Sequence, residues 1–209
     1  MINKKVITLT FDDTPYDTTS KLLDMLKSKG VQATFFMIGN KIKNHPDLVC
    51  RAASEGHDIA WHSMEHNITA FSKAQEVYSD FAMAQPLLDS IGCNHKIKYV
   101  RCPGGHISED IAHAANENGF KIVNWSHYSF DDSVKSDATP KERCDKAFSS
   151  TYGIRDGDIF LIHPSTEDII QGVALLIDRL KSENYEILNL SEHFERKNGG
   201  INVCYGPIF

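Results

Sequence analysis

The residues able to do chemistry fall in a few short segments. Thr10-Phe11-Asp12-Asp13-Thr14-Pro15 ends an apolar run with two adjacent carboxylates, and Pro15 enforces a turn after them. Two anions side by side in a partly buried place are costly unless a cation or a proton compensates. One carboxylate on a metal ion and the other poised as a base resolves the conflict. An Asp pair that only caps the following helix is the weaker account, because Asp17 and Thr18 already stand where caps are wanted. Further on, His62-Ser63-Met64-Glu65-His66 sets two imidazoles at i and i+4, on one face if the segment forms a helical turn. With Asp13 they make three protein ligands for one divalent ion. Such a set leaves positions open for water and a substrate oxygen, as a hydrolytic zinc site requires and a closed structural site does not. His-x-x-x-His is a weak signal alone and gains weight after a strand and beside a double Asp.

These segments need a scaffold that brings them together. Apolar runs at Val6–Phe11, Ala33–Ile38, Asp58–Trp61, Ile97–Arg101, Lys121–Trp125 and Ile159–His163 alternate with helical patterns. The helices are expected over Thr18–Lys29, Pro46–Glu55, Ser72–Ile91, Ser108–Asn118, Pro140–Tyr152 and Glu167–Glu183. Gly30, Gly56, Gly92 and Gly119 follow helical runs where a left-handed C-terminal cap is wanted. With no Gly-rich dinucleotide fingerprint, the rhythm predicts a distorted (β/α) barrel of about seven parallel strands with outer helices, in one domain spanning residues 1–209. Active residues then belong at the C-terminal strand ends, and Asp12, Asp13, His62, Arg101 and His163 all fall there. Any one of them could be a cap or turn residue; their shared position favours a site.

Composition excludes several classes. The chain has 209 residues, 41% hydrophobic and 24% charged, with a scattered formal charge of −6. No basic stripe is present to meet nucleic acid or an anionic membrane. No apolar run reaches the roughly 18 to 20 residues that cross a bilayer. Met1–Thr10 leads straight into a strand pattern with no signal-peptide core, so the chain as written carries no visible export signal, and would be secreted only as a trimmed domain. Cys50, Cys93, Cys102, Cys144 and Cys204 are too few and too irregular for a disulfide framework or a Cys-x-x-Cys metal site, and free thiols are expected. A monomer is expected.

In the spacing and order of five motifs over Thr10–Pro164 the sequence resembles the polysaccharide deacetylase family, the NodB-homology domain of carbohydrate esterase family 4. The family's Thr-Phe-Asp-Asp-Gly-Pro is met except at Thr14. The resemblance implies Asp12 as general base and Asp13 as metal ligand. His-Ser/Thr-x-x-His is met in full, implying His62 and His66 as ligands. Arg-x-Pro-x-Gly is met by Arg101, Pro103 and Gly105. It implies that Arg101 orients the base and that Gly104, where the family often has Tyr, lends an N–H to the oxyanion. The Asp-x-x-Asp-Trp motif falls on Tyr128–Asp132 and keeps only Asp131, which would orient His163; Asp132 stands in place of the Trp that shapes the sugar site. Leu-x-His is Leu161-Ile162-His163, implying His163 as general acid and Leu161 beside the acetyl methyl. One divalent ion is implied, zinc first, with cobalt or nickel as substitutes, and an acetylated oligo- or polysaccharide as substrate.

The implied reaction is hydrolytic deacetylation: Asp12 takes a proton from the attacking water and His163 protonates the departing amine. Arg101 should lower the pKa of Asp12 and Asp131 should raise that of His163, separating base from acid. Substrates carrying O-acetyl groups, as in xylan, are the neighbouring reading. A non-haem iron oxygenase also uses two His and one carboxylate, but has no use for Asp12, Arg101, Asp131 and His163 around them. A catalytically weak carbohydrate-binding member is the reading from another class, and sugar binding that survives metal removal would mark it. Trp61 and Trp125 are assigned to core or barrel rim, Cys102 to a small buried filler, and His106 and His127 to no role. Ser191–Lys197 reads as an exposed acidic final helix, followed by an irregular tail.

Overall fold

The structure, a computed structural model, describes residues 4–67, 74–128, 130, 135, 137–149 and 153–196. Its organising element is strand β1 (Lys5–Thr14), rich in β-branched and aromatic residues and buried nearly throughout. Burial on both faces is what a parallel strand covered by helices requires. On one side β1 pairs with β2 (Thr34–Met37). On the other it pairs with β7 (Tyr185–Ile187) along Lys5–Ile7 and with β6 (Ile159–Ile162) along Thr8–Phe11. Beyond β2 lie β3 (Asp58–Trp61), β4 (Tyr99–Val100) and β5 (Lys121–Ile122), every pairing parallel. Past β5 the chain returns to β6 through a parallel bridge between His127 and Phe160. The result is the expected distorted α/β barrel of seven parallel strands.

The helices are α1 (Thr19–Lys29), α2 (Gly39–Asn44), α3 (Pro46–Ser54), α4 (Ala74–Ser90), α5 (Glu109–Glu117), α6 (Pro140–Phe148), α7 (Glu167–Ser182) and α8 (Leu190–Arg196). Their periodicity does its expected work. Helix α7 buries Ile169, Ile170, Val173, Leu176, Ile177 and Leu180 along one stripe, each worth roughly 1.5 to 3 kcal/mol before ordering costs. Thr166 caps α7, Ser108 caps α5, and Thr139 with Glu142 forms a full capping box on α6. Gly30 closes α1 in the left-handed region at φ 58°.

The structure departs from expectation in four places. Thr18 does not cap α1 through its side chain: it has helical φ/ψ and its hydroxyl donates to the Pro164 carbonyl at 2.6 Å, tying α1 to the end of β6. Helix α2 was not expected, since Gly39-Asn40-Lys41 offers little helical patterning. Strand β7 was not expected either, because its three residues are too short for a period. The expected final helix is present, but it is exposed on one side only, at Glu192, Glu195 and Arg196, and Lys197 with the tail lies outside the described residues. Helix α8 buries Leu190, His193 and Phe194, and Leu190 and Phe194 join Phe36, Ala60, Tyr99, Val123 and Ile159 in a second apolar cluster enclosed by the strands. Cys50, Cys93, Cys102 and Cys144 are free thiols, and Cys204 lies outside the described residues. Among the described residues no helix is long and apolar enough to cross a membrane.

Two histidines serve the start of the sheet as neutral acceptors. His57 Nδ1 accepts the Ala33 N–H at 3.1 Å and His95 Nε2 accepts the Ile59 N–H at 3.1 Å. Burial pushes the His57 imidazole down to about 4, so the unfolded chain takes up a proton that the fold refuses. Stability is therefore complete above pH 6.5 and falls as pH drops from 6.5 toward 4. His57 alone should cost about 2 kcal/mol at pH 5 relative to pH 7.5. Urea unfolding at the two pH values should show this loss in the native chain and a smaller one in His57→Asn, whose side-chain oxygen can still accept from Ala33.

Candidate active site

The C-terminal end of β1 carries Asp12 and Asp13, whose side chains point to different partners. Asp12, 2% exposed, receives a hydrogen bond from Arg101 Nη1 at 2.5 Å. Arg101 follows β4 and is 1% exposed. All three of its nitrogens are engaged: Nε donates to the Val123 carbonyl at 2.9 Å, Nη2 to the Asn124 carbonyl at 2.9 Å, and Nη1 also to Thr10 Oγ1 at 2.8 Å. The guanidinium lies 3.9 Å from the centre of the Phe36 ring. A charge so buried is tolerated because each nitrogen donates a hydrogen bond and the counter-charge is adjacent.

Asp13 sits in the left-handed region at φ 58°, which turns its carboxylate toward the loop after β3. Its Oδ1 lies 3.3 Å from His62 Nε2 and 3.2 Å from His66 Nε2. The two histidines are not on a helical turn, contrary to the reading of the i, i+4 spacing. Ser63 and His66 both adopt positive φ, at 63° and 54°, so the loop folds back on itself; Ser63 Oγ accepts the His66 N–H at 2.9 Å and closes the turn. His62 Nδ1 is 2.7 Å from the Arg101 carbonyl, which can only accept. That fixes the proton on Nδ1 and leaves Nε2 with a lone pair aimed at the Asp13 carboxylate.

This confrontation tests whether the residues suit a cation. Asp13 Oδ1 is buried and has no hydrogen-bond partner, and the nitrogen facing it from His62 is an acceptor. Two acceptors held together with no proton between them suit a positive ion. The three ligand atoms lie within 4.8 Å of one another, so Asp13, His62 and His66 could hold a metal. Protonation states agree. Burial would push the Asp13 carboxyl up, but the close imidazole of His62, with those of His66 and His163, outweighs it and holds it at about 2. Burial pushes the His66 imidazole down, toward the neutral form that can ligate.

The other predicted positions distribute as follows. His163, half-buried, directly follows β6 beside β1 and is close enough to Asp13 to act on its charge. Leu161 is buried on the same strand. Pro103–Gly105 form a 3-10 turn with Pro103 buried and Gly104 exposed at φ 67°. Asp131 and Asp132 lie outside the described residues. Sequence reasoning missed three supports. Lys41 of α2 donates to the Asp13 carbonyl at 2.6 Å and packs over Tyr16. Asn124 donates to the Gly105 carbonyl at 2.9 Å. Asp80 of α4 reaches the histidine loop. Each comes from an element distant in sequence, so no local spacing marks it.

Comparison with known proteins decides the family. The polysaccharide deacetylase sequence profile matches residues 2–123. The chain belongs to the polysaccharide deacetylase family. A peptidoglycan-N-acetylglucosamine deacetylase of Bacillus cereus is 30% identical over 205 residues, covering 94% of this chain and 91% of that protein. A bifunctional xylanase/deacetylase of Pseudobutyrivibrio xylanivorans is 31% identical over 97% of this chain, which spans 33% of that protein. Among solved structures, the polysaccharide deacetylase Bc1974 of Bacillus cereus has a TM-score of 0.81 at 31% identity, over 89% of this chain and 92% of its own. The peptidoglycan deacetylase PdaC of Bacillus subtilis has a TM-score of 0.82 at 26% identity, over 94% and 93%. The chain is accordingly a carbohydrate deacetylase, a hydrolase.

Two departures from the family pattern now have a physical reading. Thr14 stands where this deacetylase family usually has Gly, but it is absent from the positive-φ residues and needs none of glycine's freedom. It is fully buried, and its hydroxyl donates to the Phe36 carbonyl at 3.3 Å. Tyr128 is 45% exposed just after the His127 bridge, at the strand-end face of the deacetylase.

The Arg101–Asp12 pair sets a stability test. Arg101→Met leaves an anion buried with its main partner gone, and should cost about 3 to 5 kcal/mol in urea unfolding. Adding Asp12→Asn should recover part of that loss. A single variant losing under about 1 kcal/mol would show that the pair is not buried as described.

Proposed function

We propose that the protein removes acetyl groups from N-acetylated sugars of the peptidoglycan or chitin type, with one divalent cation, zinc first, on Asp13, His62 and His66. The observation that carries this reading is the buried Oδ1 of the half-buried Asp13 carboxylate, facing an imidazole whose proton is committed elsewhere. The substrate class is supported by the peptidoglycan-N-acetylglucosamine deacetylases among its relatives. When bound, the cation would supply Lewis acidity at the acetyl carbonyl and at the attacking water.

The protein's own groups would divide the remaining work. Asp12 is the base: Arg101 fixes one oxygen at 2.5 Å, leaving Oδ2, 3.7 Å from His62 Nε2, to take a proton from water beside the ligands. His163, on the neighbouring strand end, protonates the nitrogen that departs. The exposed Gly104 N–H donates to the oxyanion as charge develops there, an interaction worth most in the transition state. Leu161 offers an apolar surface to the acetyl methyl. The family departures at Tyr128 and Asp132 leave base, acid and ligand types unchanged.

Acetate release from N-acetylglucosamine oligomers and peptidoglycan should depend on zinc and vanish after chelation. Asp12→Asn should lower kcat roughly 10²- to 10⁴-fold while retaining bound zinc. Acetylated xylan serves as the competing arm: faster release from xylan would replace the N-acetyl reading with an O-acetyl one. Release that persists without metal would overturn the mechanism, and sugar binding without release would favour a binding role.

A further inference from the structure

The loop that carries His62 and His66 is unusual in one respect. Two of its five residues, Ser63 and His66, hold backbone conformations that side chains disfavour. Such a loop keeps its shape only if its surroundings over-determine it. Part of the restraint is backbone: the Gly39 and Asn40 N–H groups at the start of α2 donate to the Ser63 and Met64 carbonyls, each at 2.9 Å. Gly39 has no side chain for a reason, since a Cβ there would lie 2.5 Å from Met64 Sδ and 2.6 Å from the Trp61 ring. These bonds hold the carbonyl side of the loop; on its N–H side the Met37 carbonyl takes the His62 N–H and Ser63 Oγ takes the His66 N–H, each at 2.9 Å, and the Met64 N–H is left to a partner on α4.

That partner is a single carboxylate. Asp80, half-buried on α4, accepts the Trp61 indole N–H through Oδ1 at 2.6 Å and the Met64 backbone N–H through Oδ2 at 2.7 Å. The two donors bracket His62 and Ser63, so one rigid group spans the ligand and the left-handed residue beside it. Trp61 is fully buried, and its carbonyl accepts the Arg101 N–H at 3.0 Å, so the same restraint reaches the strand that presents Arg101.

We propose that Asp80 is a positioning residue for the cation site, fixing the His62–His66 loop so that both imidazoles meet Asp13. This rests on the cation reading above and extends it to a residue that makes no contact with the ion. A carboxylate is needed, because two N–H donors converge on it from opposite sides. An amide of the same size could accept from one and would present its own N–H to the other. Groups that orient metal ligands typically cost 10- to 100-fold in affinity when altered.

The test uses the full chain, stripped of metal and titrated with zinc against a chromophoric chelator at a temperature well below unfolding. Asp80→Asn should weaken zinc binding about 10- to 100-fold. With saturating cobalt, its visible d–d bands should shift or lose intensity. Trp61→Phe keeps a ring and the Met64 bond and should show a smaller loss in the same direction; it decides the matter if Asp80→Asn does not fold. Asp89→Asn, exposed on the same helix, should bind zinc as the native chain does. A merely structural Asp80 would lower the unfolding temperature of the metal-free protein and leave zinc affinity and the cobalt spectrum unchanged, which would overturn the proposal. Failure of the native chain to bind zinc or cobalt would instead overturn the cation reading itself.

Discussion

Arg101 is the point on which the upper half of the barrel depends. Its guanidinium binds β1 through Thr10 and Asp12 and binds the segment after β5 through the Val123 and Asn124 carbonyls. Its backbone binds β3, the N–H to Trp61 and the carbonyl to the His62 ring. β4 and β5 are two residues long, too short for ladder hydrogen bonds alone to hold the sheet at that edge. A buried cation that needs all its donors satisfied substitutes for the missing ladder. The desolvation cost of such a group makes its geometry nearly all-or-none, because a displaced Arg101 leaves several carbonyls and an anion unpaired at once. The same residue thereby fixes the base and sets the tautomer of a metal ligand, and scaffold and chemistry share one side chain.

The second constraint is conformational. Among the described non-glycine residues, positive φ occurs at Asp13, Ser63, His66 and Asn184, and three of these four lie in or between the proposed ligands. Left-handed backbone costs of order 1 kcal/mol or more for such residues, so its concentration here is strain placed at the site. Each instance has its restraint. Lys41 holds the Asp13 carbonyl, and Ser63 Oγ and the start of α2 hold the histidine loop. Lys41 is itself committed by the Tyr16 ring 3.9 Å away, and burial pushes its ammonium pKa down. Short helix α2 thus contributes little to the core but supplies the contacts that keep Asp13 and His66 facing each other.

How much of this was legible in the sequence follows from which interactions are local. The strand β1 announces itself as a continuous apolar run, and the helices α1, α3, α4, α5, α6 and α7 because their burial is periodic. Asp12, Asp13, His62, Arg101 and His163 announce themselves because parallel strands place their C-terminal ends together. The loop conformation at Ser63 and His66 was misread because i, i+4 spacing is equally met by a helical turn and by two left-handed residues, and only the packing of Gly39 and Asn40 against the loop selects between them. Thr18 was misread as a cap because Pro164, the partner that captures its hydroxyl, is 146 residues away. Helix α8 looked exposed because four of its seven residues are charged or polar at the surface, while Leu190 and Phe194 reach into a barrel interior that no local pattern reveals.

The Arg-x-Pro-x-Gly segment shows the same division between motif and cause. The final glycine, Gly105, is required by a neighbour: a Cβ there would come within 2.7 Å of the Trp125 ring, and φ is 69°. Trp125 is half-buried, with its ring 5.6 Å from the Arg101 guanidinium, so it belongs to the rim and not the core. It covers the motif's backbone and limits water at the ion pair, which strengthens the hold of Arg101 on Asp12. Gly104 is a different case. Its position also needs φ of 67°, which glycine adopts without strain and a larger residue would not. Where the family often places Tyr, this chain therefore gives up an aromatic wall and gains an unstrained turn with an exposed N–H. At the same end of the barrel the aromatic ring that does reach solvent is that of Tyr128, on another segment of the chain.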